Sequence, residues 1–489
     1  MPKKTKRERK GIRAITLQNF KGIGEEPGRI ELAPLTLLFG PNAAGKSTIL
    51  QALLLVRHLL NGGDPNVDKL PLGGDMRLGG FENYVHKHDL DRTVTIGIEL
   101  GLNSDGLAFE FDEFLRHSTQ IRTHFGEKRL SEIDVFAGLG DAECACFEFQ
   151  IRWWEDQSKA HVFGAKITVD DTSSAYIVTT PDGAPSVNTK FPYQERRDDS
   201  PFDVPEWWEA TSGDHAQILV WLTSQAGQTI LQGEQLLSIH DFMDPEGEEF
   251  VVDLIACNIL SCHTVGALCI LRRALDKLVH IGPLRAIPRR NHQARIGNDL
   301  ERWANGLAAW DILSKDTRSD EERSLIARVS EWISRSDRLD LGFELRLQET
   351  VVQERFDIVG EVAEGVLGTA AKNKSAKEQA KFKQRISEII APLTDTAKRT
   401  RRFRLFDQRH ETVVEPGEIG VGVSQVLPLV MAILDPSHEV VSIEQPELHI
   451  HPRIQVRLAD AYIEALDDRE DRLFLIETHS EHLILRLLR

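Results

Sequence analysis

The chain has 489 residues, a formal net charge of −17, and 41% hydrophobic against 28% charged residues. These are ordinary globular values: they exclude wholesale disorder, a collagen-like repeat and a disulfide scaffold, and at roughly 150 residues per domain the length predicts two or three domains. So acidic a chain repels nucleic acid over most of its surface, which confines any DNA contact to a local basic patch.

Residues 1–13 carry seven Lys/Arg and one Glu and are expected to form a disordered basic tail. They lack the apolar core of a secretory signal, and five cysteines are too few for a disulfide framework, so a cytoplasmic protein is expected. Ile15, Leu17 and Phe20 predict a first strand, Arg29 to Leu32 a second, and the apolar run Leu35 to Phe39 a third. A glycine-rich turn follows at once. Ile49 to Leu60, almost wholly apolar and too long for a strand, then predicts a buried helix. Val94, Ile96, Ile98 and Leu100, like Phe147, Phe149, Ile151 and Trp153, are spaced by two, which predicts antiparallel sheet between Thr93 and Thr180. Five prolines and a cluster of charges mark residues 181–206 as a loop. Residues 214–280, 294–335 and 371–390 read as mainly helical.

The most apolar stretch, Leu254 to Leu271, is interrupted by Asn258, Ser261, His263 and Thr264 and falls short of the ~20 apolar residues that a spanning helix needs. No membrane association is expected. Cys144 and Cys146, and Cys262 beside His263, lack the C-x₂-C spacing of a zinc site and read as buried thiols. Toward the C-terminus the pattern alternates again: strand Val440 to Ile443, helix Arg453 to Leu466, strand Leu473 to Ile476, and an apolar helix through Leu483, Ile484, Leu487 and Leu488.

Gly40 to Thr48 (GPNAAGKST) matches G-x-x-x-x-G-K-[ST] and lies between an apolar strand and a helix, where its chemistry requires it. The glycines let backbone N–H groups across Asn42, Ala43, Ala44 and Gly45 curl around phosphate oxygens. Lys46 then reaches the β- and γ-phosphates, and the Ser47 hydroxyl, with Thr48 beside it, can ligate Mg²⁺. Val440 to Glu444 is a hydrophobic strand ending in a carboxylate, the form in which an acid is presented to the nucleotide's metal, so Glu444 joins Ser47 as a predicted Mg²⁺ ligand. His479 follows the Leu473 to Ile476 strand, where a γ-phosphate sensor would stand. Gly420 to Gln425 (GVGVSQ) precedes the apolar run Val426 to Leu434, so the N–H groups and hydroxyl of a glycine-serine turn are expected to cap a helix and hold an anion.

With these motifs in this order, the chain resembles the ABC-type ATPase heads of the RecF, SMC and OLD group. Gly40 to Thr48 resembles their Walker A, Gly420 to Gln425 their signature, Ile443 to Pro452 (IEQPELHIHP) the Walker B and D-loop of OLD-like proteins, and Thr478 to Ser480 their switch histidine. The opening ITLQNFKGIG and His280 to Arg285 (HIGPLR) are similar to the group as well. The resemblance implies an α/β fold, a split ABC-type P-loop ATPase head of mixed sheet and flanking helices, with a long α+β insertion between its lobes. The N-lobe would span residues 14–100, an antiparallel β region 101–180, a mainly helical insertion 181–400 and the C-lobe 401–489.

It also implies ATP and Mg²⁺ as cofactors, with two heads enclosing ATP between one P-loop and the other's signature. Gly422 and Ser424 would then act in trans in a homodimer or higher oligomer. The group uses this closure for DNA clamping, repair or phage defence, and OLD-like relatives, including ATPases of the Gabija and Septu systems, carry a nuclease behind the head or take one as a partner. Relatives usually continue past the final helix with more sheet or a Toprim nuclease; this sequence ends at Arg489. Asp198, Asp199 and Asp203 read as solvated charges of a loop rather than a nuclease cluster, and without heptads long SMC arms are not expected.

The expected function is an ATP-hydrolysing switch that gates a separate effector, a nuclease or other protein, in prokaryotic antiphage defence. The alternatives are a RecF-like clamp that binds DNA directly and a nucleotide-binding scaffold with negligible hydrolysis. For the clamp, residues 372–404 hold eleven Lys/Arg against three acids and form the natural DNA surface. A P-loop kinase is disfavoured, having no use for the signature turn or the terminal histidine. In ABC heads the residue after the metal-linked acid is usually a glutamate that polarises the attacking water, and here it is Gln445, which cannot accept a proton. General-base help is typically worth ~10² to 10⁴ in rate, so slow turnover is expected unless Glu447 takes the role. The other reading of Glu447 is a D-loop residue that caps the following turn. Gln445, Glu447 and His479 form the predicted catalytic set.

Overall fold

The computed structural model describes residues 9–40, 45–70, 77–103, 106–107, 142–170, 173–179, 185–190, 218–221, 261–289, 292, 294–295, 300–315, 318–352, 398–469 and 471–489. They belong to two compact units, one built from residues 1–285, 299–306 and 432–489, the other from 286–298 and 307–431. The strands of the first unit are β1 (Gly11–Gln18), β2 (Gly28–Glu31), β3 (Leu35–Leu38), β4 (Val94–Gly101), β5 (Cys144–Trp154), β6 (Lys159–Val169), β7 (Ser173–Thr179), β8 (Pro185–Lys190), β9 (Ile218–Trp221) and β10 (Leu278–Ile281). Strands β11 (Phe343–Val352), β12 (Lys398–Asp407) and β13 (Thr412–Val414) form the second unit's sheet, and β14 (Val440–Glu444) and β15 (Leu473–Glu477) return to the first. The helices that matter for the site are α1 (Lys46–Leu60), α2 (Phe81–Tyr84), α3 (Ala267–Asp276), α4 (Leu300–Ala304), α5 (Leu307–Ser314), α6 (Asp320–Ser334), α7 (Val421–Leu434), α8 (Pro452–Asp468) and α9 (Glu481–Leu487).

Among the described residues the first unit holds two sheets. One is antiparallel, in the order β2-β1-β4-β5-β6-β7-β8-β9. Its register follows from the alternation: Val94, Ile96 and Ile98 lie opposite Ile151, Phe149 and Phe147, so one face becomes a continuous apolar surface. The other sheet is parallel, in the order β10-β14-β15-β3, and β14 (VVSIE) and β15 (LFLIE) are buried apolar runs because a parallel sheet is covered on both faces. Helix α1 shares one core with strands of both sheets and with α3, which is why Leu53, Leu54, Leu55 and Val56 are all buried around its circumference.

Several expectations change on contact with the structure. Strand β1 begins at Gly11, inside the expected tail, because Gly11 pairs with Gly101 and Ile12 reaches the core; Arg9 donates to the Leu32 carbonyl. Strand β8 lies in the stretch read as a loop, with Pro185 as its first residue, where no ladder hydrogen bond is lost. Within 214–280, β9 and the fully buried β10 are strands; helix follows a π-helical turn at Cys262–Gly266 into α3. The expected helices of 294–335 are present as α4, α5 and α6, the last with a Ser319–Glu322 capping box. The helix expected at 371–390 lies outside the described residues, as do Asp198, Asp199 and Asp203. Cys262 and Cys269 are buried, whereas Cys144 and Cys146 are half-buried because they sit on the face of β5 opposite Ala145 and Phe147. Among the described residues no helix is long and apolar enough to cross a membrane.

In the second unit β11, β12 and β13 form an antiparallel sheet with α5 and α6 packed on it. Strand β12 runs through residue 400, the expected insertion boundary, and the chain through Met431, including the signature segment, groups with this unit rather than with the rest of the expected C-lobe.

Candidate nucleotide site at the carboxyl edge of the parallel sheet

Strands β3, β15 and β14 end level with one another, since Glu477 is in register with Leu38 on one side and Glu444 on the other. In open α/β sheets ligands bind outside this carboxyl edge. After β3 the chain turns at Gly40 (φ 149°) and re-enters helix at Gly45, the N-cap of α1 with φ 81°. A side chain at Gly45 would be strained and would put its Cβ 3.3 Å from Thr48 Oγ1. Asn42, Ala43 and Ala44 lie outside the described residues.

Lys46 and Ser47 open α1 and face an acid. Lys46 Nζ donates to the Gly40 carbonyl at 3.0 Å and stands 3.5 Å from Glu477 Oε1, while Ser47 Oγ donates to Glu477 Oε2 at 3.1 Å. The side chains of Lys46 and Glu477 are only 7% and 14% exposed. The sequence predicts Glu444 as the metal-linked acid; β15 lies between β14 and β3, so the carboxylate in contact with the P-loop side chains is Glu477, with Glu444 on the next strand. A signal for it was present, since β14 and β15 are both apolar runs that end in Glu. Burial first, and then the charge of Glu477, push the Glu444 carboxyl up to about 7. Two converging carboxylates and a serine hydroxyl are hard oxygen donors of the kind Mg²⁺ takes together with nucleotide phosphates, so the residues fit that ion.

Past β14 the chain makes an abrupt turn. Gln445 has φ 44°, a left-handed conformation costing an L-residue roughly 1–2 kcal/mol. Hydrogen bonds hold this turn: Gln445 N donates to the Glu477 carbonyl (2.7 Å), Leu448 N to the Gln445 carbonyl (3.1 Å), and Arg285 Nη2 to the carbonyls of Glu444 (2.9 Å) and Gln445 (3.1 Å). Arg285, the last residue of HIGPLR, is buried, and desolvation lowers its pKa to about 10. Glu447 is held as well: Thr478 Oγ1 donates to its Oε2 and His479 N to its Oε1, both at 2.7 Å. Ser480 Oγ donates to Gln455 Oε1 (2.6 Å) and caps α9 by accepting from Leu483 N (3.0 Å), and Gln455 Nε2 donates to the Ile450 carbonyl (2.8 Å). Residues 445–451 and 478–480 are therefore one hydrogen-bonded assembly, from which the His479 side chain projects into solvent.

The signature serine sits differently from the capping role expected of it. Helix α7 begins at Val421, so Ser424 is its fourth residue, 0% exposed, and its hydroxyl donates inward to the Pro416 carbonyl at 3.4 Å. The turn before the helix is closed by Val423 N on the Gly420 carbonyl (3.0 Å), and Gly422 is half-buried. Of the basic segment, residues 372–385 lie outside the described residues. Lys398, Arg399 and Arg401 are in β12, and Arg404 Nη1 pairs with Glu415 at 2.9 Å.

A glycine turn after a parallel strand, a lysine and serine opening the next helix, and acids on the two neighbouring strand ends define a P-loop nucleotide-binding domain. Residues 14–126 match the family model described as "AAA domain", and residues 284–486 the one described as "AAA domain, putative AbiEii toxin, Type IV TA system". The two segments thus each match a AAA domain model, one holding the P-loop and the other the strand-end acids, and AAA-type ATPases in general bind ATP with Mg²⁺. No curated relative matches it. Among solved structures it is similar to an Smc head bound to the C-winged helix domain of ScpA, at 10% identity over 97% of this chain and 91% of that one with a TM-score of 0.37. It is also similar to the SMC head domain from Thermotoga maritima, at 9% identity over 97% and 92% with a TM-score of 0.33. An Smc head with an extended coiled coil, bound to the C-terminal domain of ScpA derived from Pyrococcus furiosus, gives 9% over 97% and 91% and a TM-score of 0.36.

Proposed function

We propose that the chain is an ATP-binding, slowly hydrolysing switch whose heads close on ATP and gate a separate effector in prokaryotic antiphage defence. One observation carries the nucleotide reading: Lys46 and Ser47 stand at the head of α1 against the Glu477 carboxylate, with Glu444 in register on the adjacent strand end, a site suited to phosphate and Mg²⁺. Bound Mg²⁺ supplies countercharge to the phosphates, and Ser47 and Glu444 are the residues that would hold it. Lys46 orients the β- and γ-phosphates, with backbone N–H groups of Gly45 to Thr48 beside them. Slow turnover is supported by the amide at Gln445 and by Glu447, whose two oxygens are already engaged by Thr478 and His479, which favours a brace between the two segments over a base and over a cap of its own turn. His479 then serves as the γ-phosphate sensor.

Neither half-site encloses a γ-phosphate alone, so Gly422 and Ser424 of one protomer complete the site of another, and a homodimer is the minimum assembly. The defence setting rests on the OLD-like IEQPELHIHP segment and on the toxin–antitoxin system named in the description of the second AAA match. The test is complementation. Because Ser424 is buried, Gly422→Asp is the cleaner signature variant. Mixed with Lys46→Ala under exchanging conditions, two inactive proteins should regain part of the ATPase activity. No recovery despite demonstrated exchange would count against trans sites. Salt-dependent DNA binding by the ATP-loaded protein would favour a RecF-like clamp instead, and tight ATP binding without turnover a scaffold.

A further inference from the structure

We infer that Glu477 is the carboxylate that makes nucleotide binding at this edge depend on a divalent cation. The inference rests on the ATP-binding reading above and adds a residue and a coupling to it. Glu477 occupies the strand end between the P-loop strand and the strand of Glu444, and it contacts the two P-loop side chains that a metal–nucleotide complex uses. Its Oε2 accepts the Ser47 hydroxyl proton, and a hydroxyl that donates its proton to a carboxylate keeps its lone pairs for a cation. Its Oε1 stands 3.5 Å from Lys46 Nζ, so the ammonium that should meet the phosphates is already facing a negative charge.

Phosphates entering without a cation must compete with Glu477 for Lys46 and approach two carboxylates, Glu477 and Glu444, on adjacent strands in register. A divalent cation changes each of these interactions. It compensates both carboxylates, takes the Ser47 oxygen, and leaves Lys46 for the phosphates. Glu477 thus penalises bare nucleotide and favours the metal complex, and by linkage nucleotide raises metal affinity by the same factor.

The experiment measures binding of a fluorescent ATP analogue to the full chain, in excess Mg²⁺ and in EDTA, alongside nucleotide-dependent binding of Mn²⁺ followed by its paramagnetic signal. Wild type should bind more tightly with Mg²⁺ than in EDTA. In Glu477→Gln, affinity should rise in EDTA and fall in Mg²⁺, so that the ratio of the two shrinks by about tenfold, a typical size for coupling between two ligands, and Mn²⁺ retention should weaken in parallel. Glu477→Asp keeps the charge but withdraws the carboxylate from both Ser47 and Lys46; it should lose affinity in Mg²⁺ and gain less in EDTA than Glu477→Gln does. A folded Glu477→Gln whose ratio stays within about threefold of wild type overturns the inference while leaving the ATP-binding reading intact. If Glu477→Gln does not fold, Glu477→Asp indistinguishable from wild type in both conditions overturns it. Wild type that binds no nucleotide in either condition removes both.

Discussion

Replacing Glu447 with Gln separates a base from a brace. The carboxylate accepts from Thr478 Oγ1 and from His479 N, both at 2.7 Å, and hydrogen bonds to charged groups contribute about 1.5–3 kcal/mol each. An amide of the same shape keeps one oxygen for the His479 N–H but presents a donor to the Thr478 hydroxyl and carries no charge. The change should therefore cost the assembly about one charge-assisted bond, roughly 1.5–3 kcal/mol. At 1.4 kcal/mol per decade, the His479 amide should open about 10- to 100-fold more often, which hydrogen exchange of residues 478–480 reads directly. ATPase turnover measured on the same samples should fall by less than the ~10² to 10⁴ that loss of a general base produces. Turnover lost by 10² or more, with exchange at His479 unchanged, would refute the brace and make Glu447 the base.

Gln445→Glu should raise basal turnover by roughly tenfold or more if the water lacks only a proton acceptor; steady-state phosphate release checks it, and an unchanged rate places water positioning elsewhere. Ser480→Ala removes the N-cap of α9, worth about 1 kcal/mol, and leaves the buried Gln455 oxygen without its donor, worth about 1–3 kcal/mol. Together these should lower the melting temperature by roughly 1–2 °C per kcal/mol lost in a unit of this size, and a shift under about 1 °C would contradict the network.

The strands and the helix of the nucleotide-binding edge were legible because their burial leaves a simple mark. Leu35 to Phe39, Ile49 to Leu60, Val440 to Ile443 and Leu473 to Ile476 are apolar runs, and their lengths separate strand from helix. The P-loop was legible because its glycines and lysine have fixed spacing. Glu477 was not assigned, since its role follows from strand order: only once β15 lies between β3 and β14 does a strand-end glutamate face Lys46. Arg285 was noticed as part of HIGPLR, but its grip on the Glu444 and Gln445 carbonyls depends on a contact 159 residues away in sequence. The inward turn of Ser424 was missed for a local reason, because a Gly-rich turn before an apolar run does not say at which residue the helix begins. Strands β8 and β9 were hidden by proline and by neighbouring helical composition, and they gain their identity from pairing along the antiparallel sheet.

Sedimentation velocity of the full chain, with and without saturating ATP and Mg²⁺, bears most directly on the claim that heads close around nucleotide. Wild type should shift to a dimer or larger species with ATP, and its slow turnover should keep that species populated through the run. Lys46→Ala should stay unshifted because it does not hold the nucleotide, and Gly422→Asp should bind ATP yet stay unshifted. An identical sedimentation coefficient with ATP demonstrably bound, or association of Gly422→Asp equal to that of wild type, would contradict the account.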